Sequence, residues 1–226
     1  MIETTQFSTH RIDAALNELL DAEDSSVHGY TPASGLPALR EALTEALKYY
    51  DFPASPEQVY VTCGSAAGRA ILACALLEEG DEVMFLYPPD AEQRGAMEAA
   101  GAVVVENGIL SSRTRLVVLS DHDPVPVGLA EDLRLAEKSY GHSIYLLADR
   151  LSATPETEAT LREYDSCIIN EDFGEDLAGE CIGFLAVSGR AAEAEDLCAA
   201  IAGAARANGF VNPPSLMQRA VGACIA

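Results

Sequence analysis

VYVTCGSAAGRAILACALLEEGDEVMF, residues 59–85, decides the architecture. It opens with a β-branched run, VYVTC (59–63), breaks at Gly64, continues as a helix-length apolar stretch and ends in a second run, EVMFLY (82–87). A strand, a glycine turn, a helix and another strand form a βαβ unit, whose crossover makes the two strands parallel. Outward from this unit the same alternation continues. Strands are predicted at AVVVE (102–106), RLVVLS (115–120), IYLLAD (144–149), SCIIN (166–170) and IGFLAV (182–187), and helices over about 66–77, 91–100, 130–140, 156–163 and 190–206. Strands apolar on both faces and separated by helices predict an α/β fold: a seven-stranded, mainly parallel sheet flanked by helices on both faces. Two further helices, roughly 10–21 and 36–50, precede the sheet, joined through HGYTPASGLPALRE. The closing segment FVNPPSLMQRAVGACIA (210–226) carries a Pro-started amphipathic helix, which needs cover from this domain or from a partner. With no repeat, low-complexity run or linker, residues 1–226 read as one domain.

Composition narrows the function. Thirty-six acids against fourteen bases give a net charge of −22, a field that repels nucleic acid and anionic membrane. The longest apolar runs are strand-length, too short to cross a bilayer. Six cysteines (Cys63, Cys74, Cys167, Cys181, Cys198, Cys224) stand singly in apolar runs, without a CxxC pair or a secretory leader. A reduced, cytoplasmic chain with cysteines as core fillers is expected.

Several blocks, taken in order, resemble the class I/II, fold-type I aminotransferases, which use pyridoxal phosphate (PLP). HGYTPASGLPALREAL (28–43) resembles that family's Y-x-x-x-x-G-x-x-x-L-R motif, and residues 59–85 its strand, glycine turn, helix and "GDEV". RLVVLSDHDPVPVG (115–128) stands where the family has its "NPTG" turn, IYLLADRLS (144–152) where it has "D-E-x-Y", and IGFLAV (182–187) just after the place of its "W-R-x-G-Y". FVNPPSLMQRAV (210–221) resembles the segment leading toward the family's small domain, which the resemblance leaves absent here. What is implied is the large domain alone, and a homodimer formed through it.

PLP chemistry requires a lysine for the Schiff base, an acid on the pyridine nitrogen and a seat for the phosphate. Gly64, Ser65 and Ala66, following a strand and opening a helix, match the phosphate seat, although without the family resemblance a glycine turn with a serine cap is the better account of them. Asp149, ending IYLLAD, matches the acid that pairs with the pyridinium; a turn or cap acid is the alternative. The remaining positions depart from the family. Placing GECIG (179–183) on the "W-R-x-G" block puts Asn170 and Asp172 at the family's serines, Phe173 at the lysine and Cys181 at the phosphate-binding arginine; another register puts Glu171 at the lysine. Neither supplies an amine, and the only lysines, Lys48 and Lys138, read as solvated helix charges. EDFGED (171–176) gathers acids where the family gathers hydroxyls and cations. Like charges about 4 Å apart cost roughly 1 kcal/mol in water and several-fold more when partly buried. Pro88, Pro89, Asp90 and Ala91 replace the ring-stacking aromatic, Asp123 the asparagine that faces the cofactor's phenolate, and Ser152 the tyrosine. No bound PLP is expected, and no catalytic residue is assigned.

Other chemistries find less support. Asp121, His122 and Asp123, with Glu171, Asp172, Glu175 and Asp176 across the crevice, offer hard ligands for a divalent ion, but adjacent extended residues point to opposite faces and no metal site is assigned. G-x-S-x-G and GxGxxG are both missing. Three functional readings follow: a degenerate aminotransferase-like domain holding a small ligand or partner in the old crevice; a PLP-dependent fragment completed by a second chain; and a remnant that folds without function.

Overall fold

A computed structural model describes residues 9–22, 25–106, 108–120, 124–150, 154–173 and 175–225. Two helices, α1 (Thr9–Asp21) and α2 (Pro37–Lys48), lead into β1 (Val59–Thr62), α3 (Gly64–Leu76), β2 (Glu82–Phe85), α4 (Ala91–Ala99) and β3 (Val103–Val105). Then follow β4 (Thr114–Ser120), α5 (Leu129–Tyr140), β5 (Tyr145–Asp149), α6 (Pro155–Glu163), β6 (Cys167–Asp172), β7 (Gly183–Val187), α7 (Ala194–Ala207) and α8 (Ser215–Ile225). The seven strands form one sheet in the order β1-β7-β6-β5-β4-β2-β3. All seven lie where the sequence predicts them, within a few residues. Only β7 runs against its neighbours, antiparallel to both β1 and β6, so the sheet is mainly parallel as expected. The helix predicted from 190 starts later, at Ala194, because residues 189–193 turn after β7.

Period-two alternation along each strand divides the core. Val61, Val117, Leu119, Leu146 and Ile169 pack with Leu43 of α2, Leu133 of α5 and Val221 of α8 on one face. Val83, Leu116, Val118, Leu147 and Ile168 pack with Ile71 of α3, Met97 of α4 and Ile201 of α7 on the other. Each such fully buried aliphatic contributes about 1.5–3 kcal/mol, so the double-sided core fixes the strand register.

The terminal amphipathic helix finds its cover within the chain: α8 packs on α1 and α2. Its buried Gln218 accepts from Leu36 N (2.7 Å) and donates to Thr31 Oγ1 (3.1 Å) and Pro213 O (2.7 Å), tying the 31–36 loop to the helix. That loop reaches the edge strand, where Val61 N donates to Ser34 O (3.0 Å). The cysteines only partly fill the core: Cys167 and Cys224 are buried, whereas Cys74 and Cys181 are exposed. Cys74 lies on the outer side of α3, and Cys181 in the turn before β7, so their apolar sequence neighbours did not place them inside. Among the described residues no helix is long and apolar enough to cross a membrane.

Candidate functional site: the crevice at the strand ends

Because β1, β2, β4, β5 and β6 run the same way, Thr62, Ser120, Asp149 and Asp172 emerge at one end of the sheet, where β7 begins at Gly183. Gly183 pairs with Thr62 on one side and Asp172 on the other. A Cβ there would lie 2.5 Å from Glu171 O and 3.0 Å from Gly64 C, so glycine is what lets three segments converge. Gly64 itself turns the chain from β1 into α3 with φ +83°, a left-handed conformation glycine adopts without strain.

The sequence-predicted Gly64, Ser65 and Ala66 form the first turn of α3 and line the crevice with Cys63, Arg69, Asp172 and Cys181. The hollow measures about 220 Å³. Ser65 does not point an idle hydroxyl into it: Oγ donates to Asp172 Oδ2 at 2.7 Å. Arg150 Nε lies 3.6 Å from the same carboxylate oxygen.

Asp149 lies at the bottom of the crevice, 1% exposed. Arg69 Nη1 donates to both its oxygens at 3.0 Å. Asn170 Nδ2 donates to Oδ1 at 2.7 Å and Gln93 Nε2 to Oδ2 at 3.1 Å. A carboxylate has about four acceptor sites, and these four contacts fill them. The donors are themselves held. Asn170 Nδ2 also donates to Ser65 O (3.0 Å), and Gln93 Nε2 to Ser120 Oγ (2.8 Å). Gln93 is oriented by a capping box at the start of α4: Asp90 N donates to Gln93 Oε1 (3.1 Å), and Gln93 N to Asp90 Oδ1 (2.7 Å).

Arg69 is 4% exposed, and its second terminal nitrogen bonds Glu92 at the rim. Burial pushes the guanidinium down, but the charges and hydrogen bonds of Asp149 and Glu92 outweigh that and hold it above the ordinary arginine value. Arg69 Nε and Asn170 Oδ1 are buried without a hydrogen-bond partner. Next to Asp172, Glu171 is also buried, and burial raises its carboxyl above the usual range. Phe173 is buried on the core side and packs against Phe184.

Arg69, Gln93 and Glu92 were not singled out from sequence. One signal was available: Arg69 is the single charged residue of the apolar helix GSAAGRAILACAL. A cation in a helix buried at that position has to find an acid. Asp121, His122, Asp123 and Ser152 lie outside the described residues, as do the side chains of Glu175 and Asp176. Among the described residues, no three His, Cys, Asp or Glu side chains gather as a metal-holding group.

Both lysines lie far from this end. Lys138 occupies the last turn of α5, the turn that delivers the chain to the start of β5, opposite Asp149. Lys48 ends α2, and the following segment reaches the far end of β7, where Gly189 N donates to Pro53 O. Both are exposed, and Lys48 pairs with Glu45. A larger hollow, about 530 Å³, lies beside edge strand β1 between Arg40, Gln58 and α7 and holds none of the strand-end residues.

The family model described as "Aminotransferase class I and II" matches residues 3–114. The chain is 31% identical over 142 residues to a probable aspartate/prephenate aminotransferase of Thermus aquaticus, covering 54% of this chain and 37% of that protein. It is 24% identical over 204 residues to a probable aspartate aminotransferase of Methanocaldococcus jannaschii, covering 79% and 53%. In structure it is similar to an aminotransferase from Eubacterium rectale, with TM-score 0.83 and 26% identity over 96% of this chain and 63% of the other. A double mutant of Thermus thermophilus aspartate aminotransferase superposes with TM-score 0.78 at 20% identity, covering 96% and 61%. The chain thus spans from about a third to under two thirds of the length of these relatives.

Proposed function

Because the chain belongs, as a partial and large-domain-like member, to the class I and II aminotransferase family, we propose that it is a catalytically degenerate aminotransferase-like domain that does not transaminate on its own. The observation that carries this is the position of Lys48 and Lys138, both exposed and at the opposite end of the sheet from Asp149. Without a lysine amine within reach among the described residues, the crevice lacks the group that captures an aldehyde as a Schiff base and moves the proton afterwards.

The residues present do not fit PLP. Asp149, the acid expected to face a ring nitrogen, has its acceptor sites filled. The Ser65 hydroxyl is committed to Asp172. Cys181, at the place of a phosphate-binding arginine, brings no charge. The acceptor-only carboxylate of Asp172, which lines the crevice, would repel a phosphate dianion that normally relies on charge-assisted donors. What stays open in the crevice suits a small ligand or a partner's side chain, and a homodimer built on this domain is part of the same reading.

Incubation with micromolar PLP, amino donor and oxo acceptor, then borohydride reduction and mass spectrometry, tests it. The expected outcome is background turnover and no stoichiometric adduct. A stoichiometric pyridoxyl adduct on Lys48 or Lys138, with visible absorbance, overturns the proposal. The partial span over the relatives supports a second reading, a fragment that a lysine-bearing chain completes. Turnover that appears only on mixing with such a chain would select it.

A further inference from the structure

We infer that the crevice is occupied by the chain's own charges: the Arg69 guanidinium stands where a cationic ring would meet Asp149, and the Asp172 carboxylate stands where a ligand's anion would meet Ser65 and the first turn of α3. The reading above enters only by locating the two seats, at Asp149 and at Ser65. The absence of a lysine plays no part.

The two halves are opposite in charge, and Asn170 touches both, through Asp149 Oδ1 and Ser65 O. At the first seat, Nη1 of Arg69 bridges both oxygens of Asp149 at 3.0 Å, a distance that an N–H of a protonated ring would use. Asn170 and Gln93 close the remaining acceptor sites, and each is held by a second acceptor, Ser65 O and Ser120 Oγ respectively. The guanidinium is held mainly by the buried Asp149 oxygens, and Glu92 bonds its other terminal nitrogen from the rim. At the second seat, the start of α3 presents backbone N–H groups and the positive end of the helix dipole. Asp172 reaches it through Ser65 Oγ at 2.7 Å, and Arg150 lies on the solvent side of the same carboxylate. Convergence at Gly183 brings Asp172 within this range, because β6 and the Gly64 turn both crowd against that glycine.

Seats filled in this way exclude a definite chemical class: phosphorylated pyridines, which need a free acid for the ring and a free helix start for the phosphate. Such a ligand would have to break the Arg69–Asp149 bonds and displace Asp172 at once. The remaining hollow, about 220 Å³, is what lies between the two internal pairs and the Cys63–Cys181 side.

Pyridoxine 5′-phosphate is the probe, because it has the ring and the phosphate but no aldehyde, so its binding is blind to any lysine. Calorimetric titration of the full chain is expected to show no saturable binding at millimolar ligand. Removing both stand-ins, in Arg69→Leu/Asp172→Asn, is expected to create a site at least tenfold tighter than that limit, and adding Asp149→Asn should abolish it. Asp172→Asn alone, at a partly exposed residue, and Arg69→Gln, which keeps polar atoms without the charge, provide variants should the leucine variant fail to fold. Each is expected to fall between the extremes. Micromolar binding by the unaltered chain overturns the inference, as does a folded double variant that gains no affinity.

Discussion

Arg69→Leu tests how much of the fold rests on the pair at the bottom of the crevice. The substitution removes two of the four hydrogen bonds that Asp149 accepts and leaves the carboxylate with the amides of Asn170 and Gln93 alone. Hydrogen bonds to a charged group contribute about 1.5–3 kcal/mol each, so two lost bonds come to roughly 3–6 kcal/mol. That matches the range of about 3–5 kcal/mol for breaking a buried ion pair by removing one partner. Glu92, 62% exposed at the rim, adds little, since solvent-exposed pairs contribute about 0–1 kcal/mol. The complementary Asp149→Leu should cost as much, because it leaves a buried guanidinium without its main acceptor. The double variant Arg69→Leu/Asp149→Leu should recover most of the loss. Asn170 then keeps Ser65 O and Gln93 keeps Ser120 Oγ, so neither amide is orphaned, and apolar replacement of a buried pair is often neutral or better. Urea unfolding followed by far-ultraviolet circular dichroism reads the cycle. With a slope of about 3 kcal/mol per molar urea, each single variant should lower the midpoint by roughly 1–2 M. Single variants that each cost less than about 1 kcal/mol, or a coupling energy within about 0.5 kcal/mol of zero, would refute the account of Asp149 as an acid neutralised from within.

Two further outcomes follow from the same end of the sheet. Gly183→Ala pushes a Cβ to 2.5 Å from Glu171 O, a backbone atom, so β6 and β7 must part where they pair. A loss of about 1–3 kcal/mol, the usual cost of overpacking, with faster amide exchange at Asp172 and Gly183, is expected; unchanged exchange would contradict the convergence described above. Glu171 has its folded-state carboxyl raised by burial above the ordinary glutamate value, so its contribution to stability is fully present below that ordinary value and is lost as pH rises through the folded one. Glu171→Gln, which mimics the protonated acid, should therefore gain on the parent chain as pH climbs from the carboxylate range toward neutrality. Urea midpoints for the two chains that stay a constant distance apart over that range would be the contrary result.

The fold was legible because its signal is periodic. Strands such as RLVVLS and IYLLAD need no partner to be recognised, since Leu116 and Val118 must bury on one face and Val117 and Leu119 on the other. Gly64 and Asp149 were legible for a related reason, as a break after a strand and an acid at a strand end are local patterns. The bonds between them were not. Arg69 and Asp149 are eighty positions apart, and Ser65 and Asp172 more than a hundred. Only the sheet order, which places β6 beside β5, and the packing of α3 on β6 bring them together. Sequence reasoning counted the acids of EDFGED as a repulsive cluster, whereas the structure turns two of that region's acids to different tasks. Asp172 faces Ser65 in the crevice, and Glu171 is buried beside it. The exposure of Cys74 and Cys181 was hidden for the opposite reason, because apolar sequence neighbours say nothing about which side of a helix or turn faces water.

A buried carboxylate is costly unless a cation or several donors accompany it, and Asp149 has both, from Arg69, Asn170 and Gln93. A ligand at a thousand times its dissociation constant stabilises the folded state by about 4 kcal/mol. The bonds from Arg69 to Asp149 are of the same order by the estimate above, and they come from a helix that the fold already places over the strand end. One residue of α3, Arg69, therefore supplies stabilisation of the size that a tightly bound ligand would give. The burial of the acid at 1% exposure is accounted for by these bonds. With Arg69 present, Asp149 ties α3 and α4 to β5 through Arg69 and Gln93, and removing the acid would break both ties at once, leaving Gln93 its bond to Ser120 Oγ of β4.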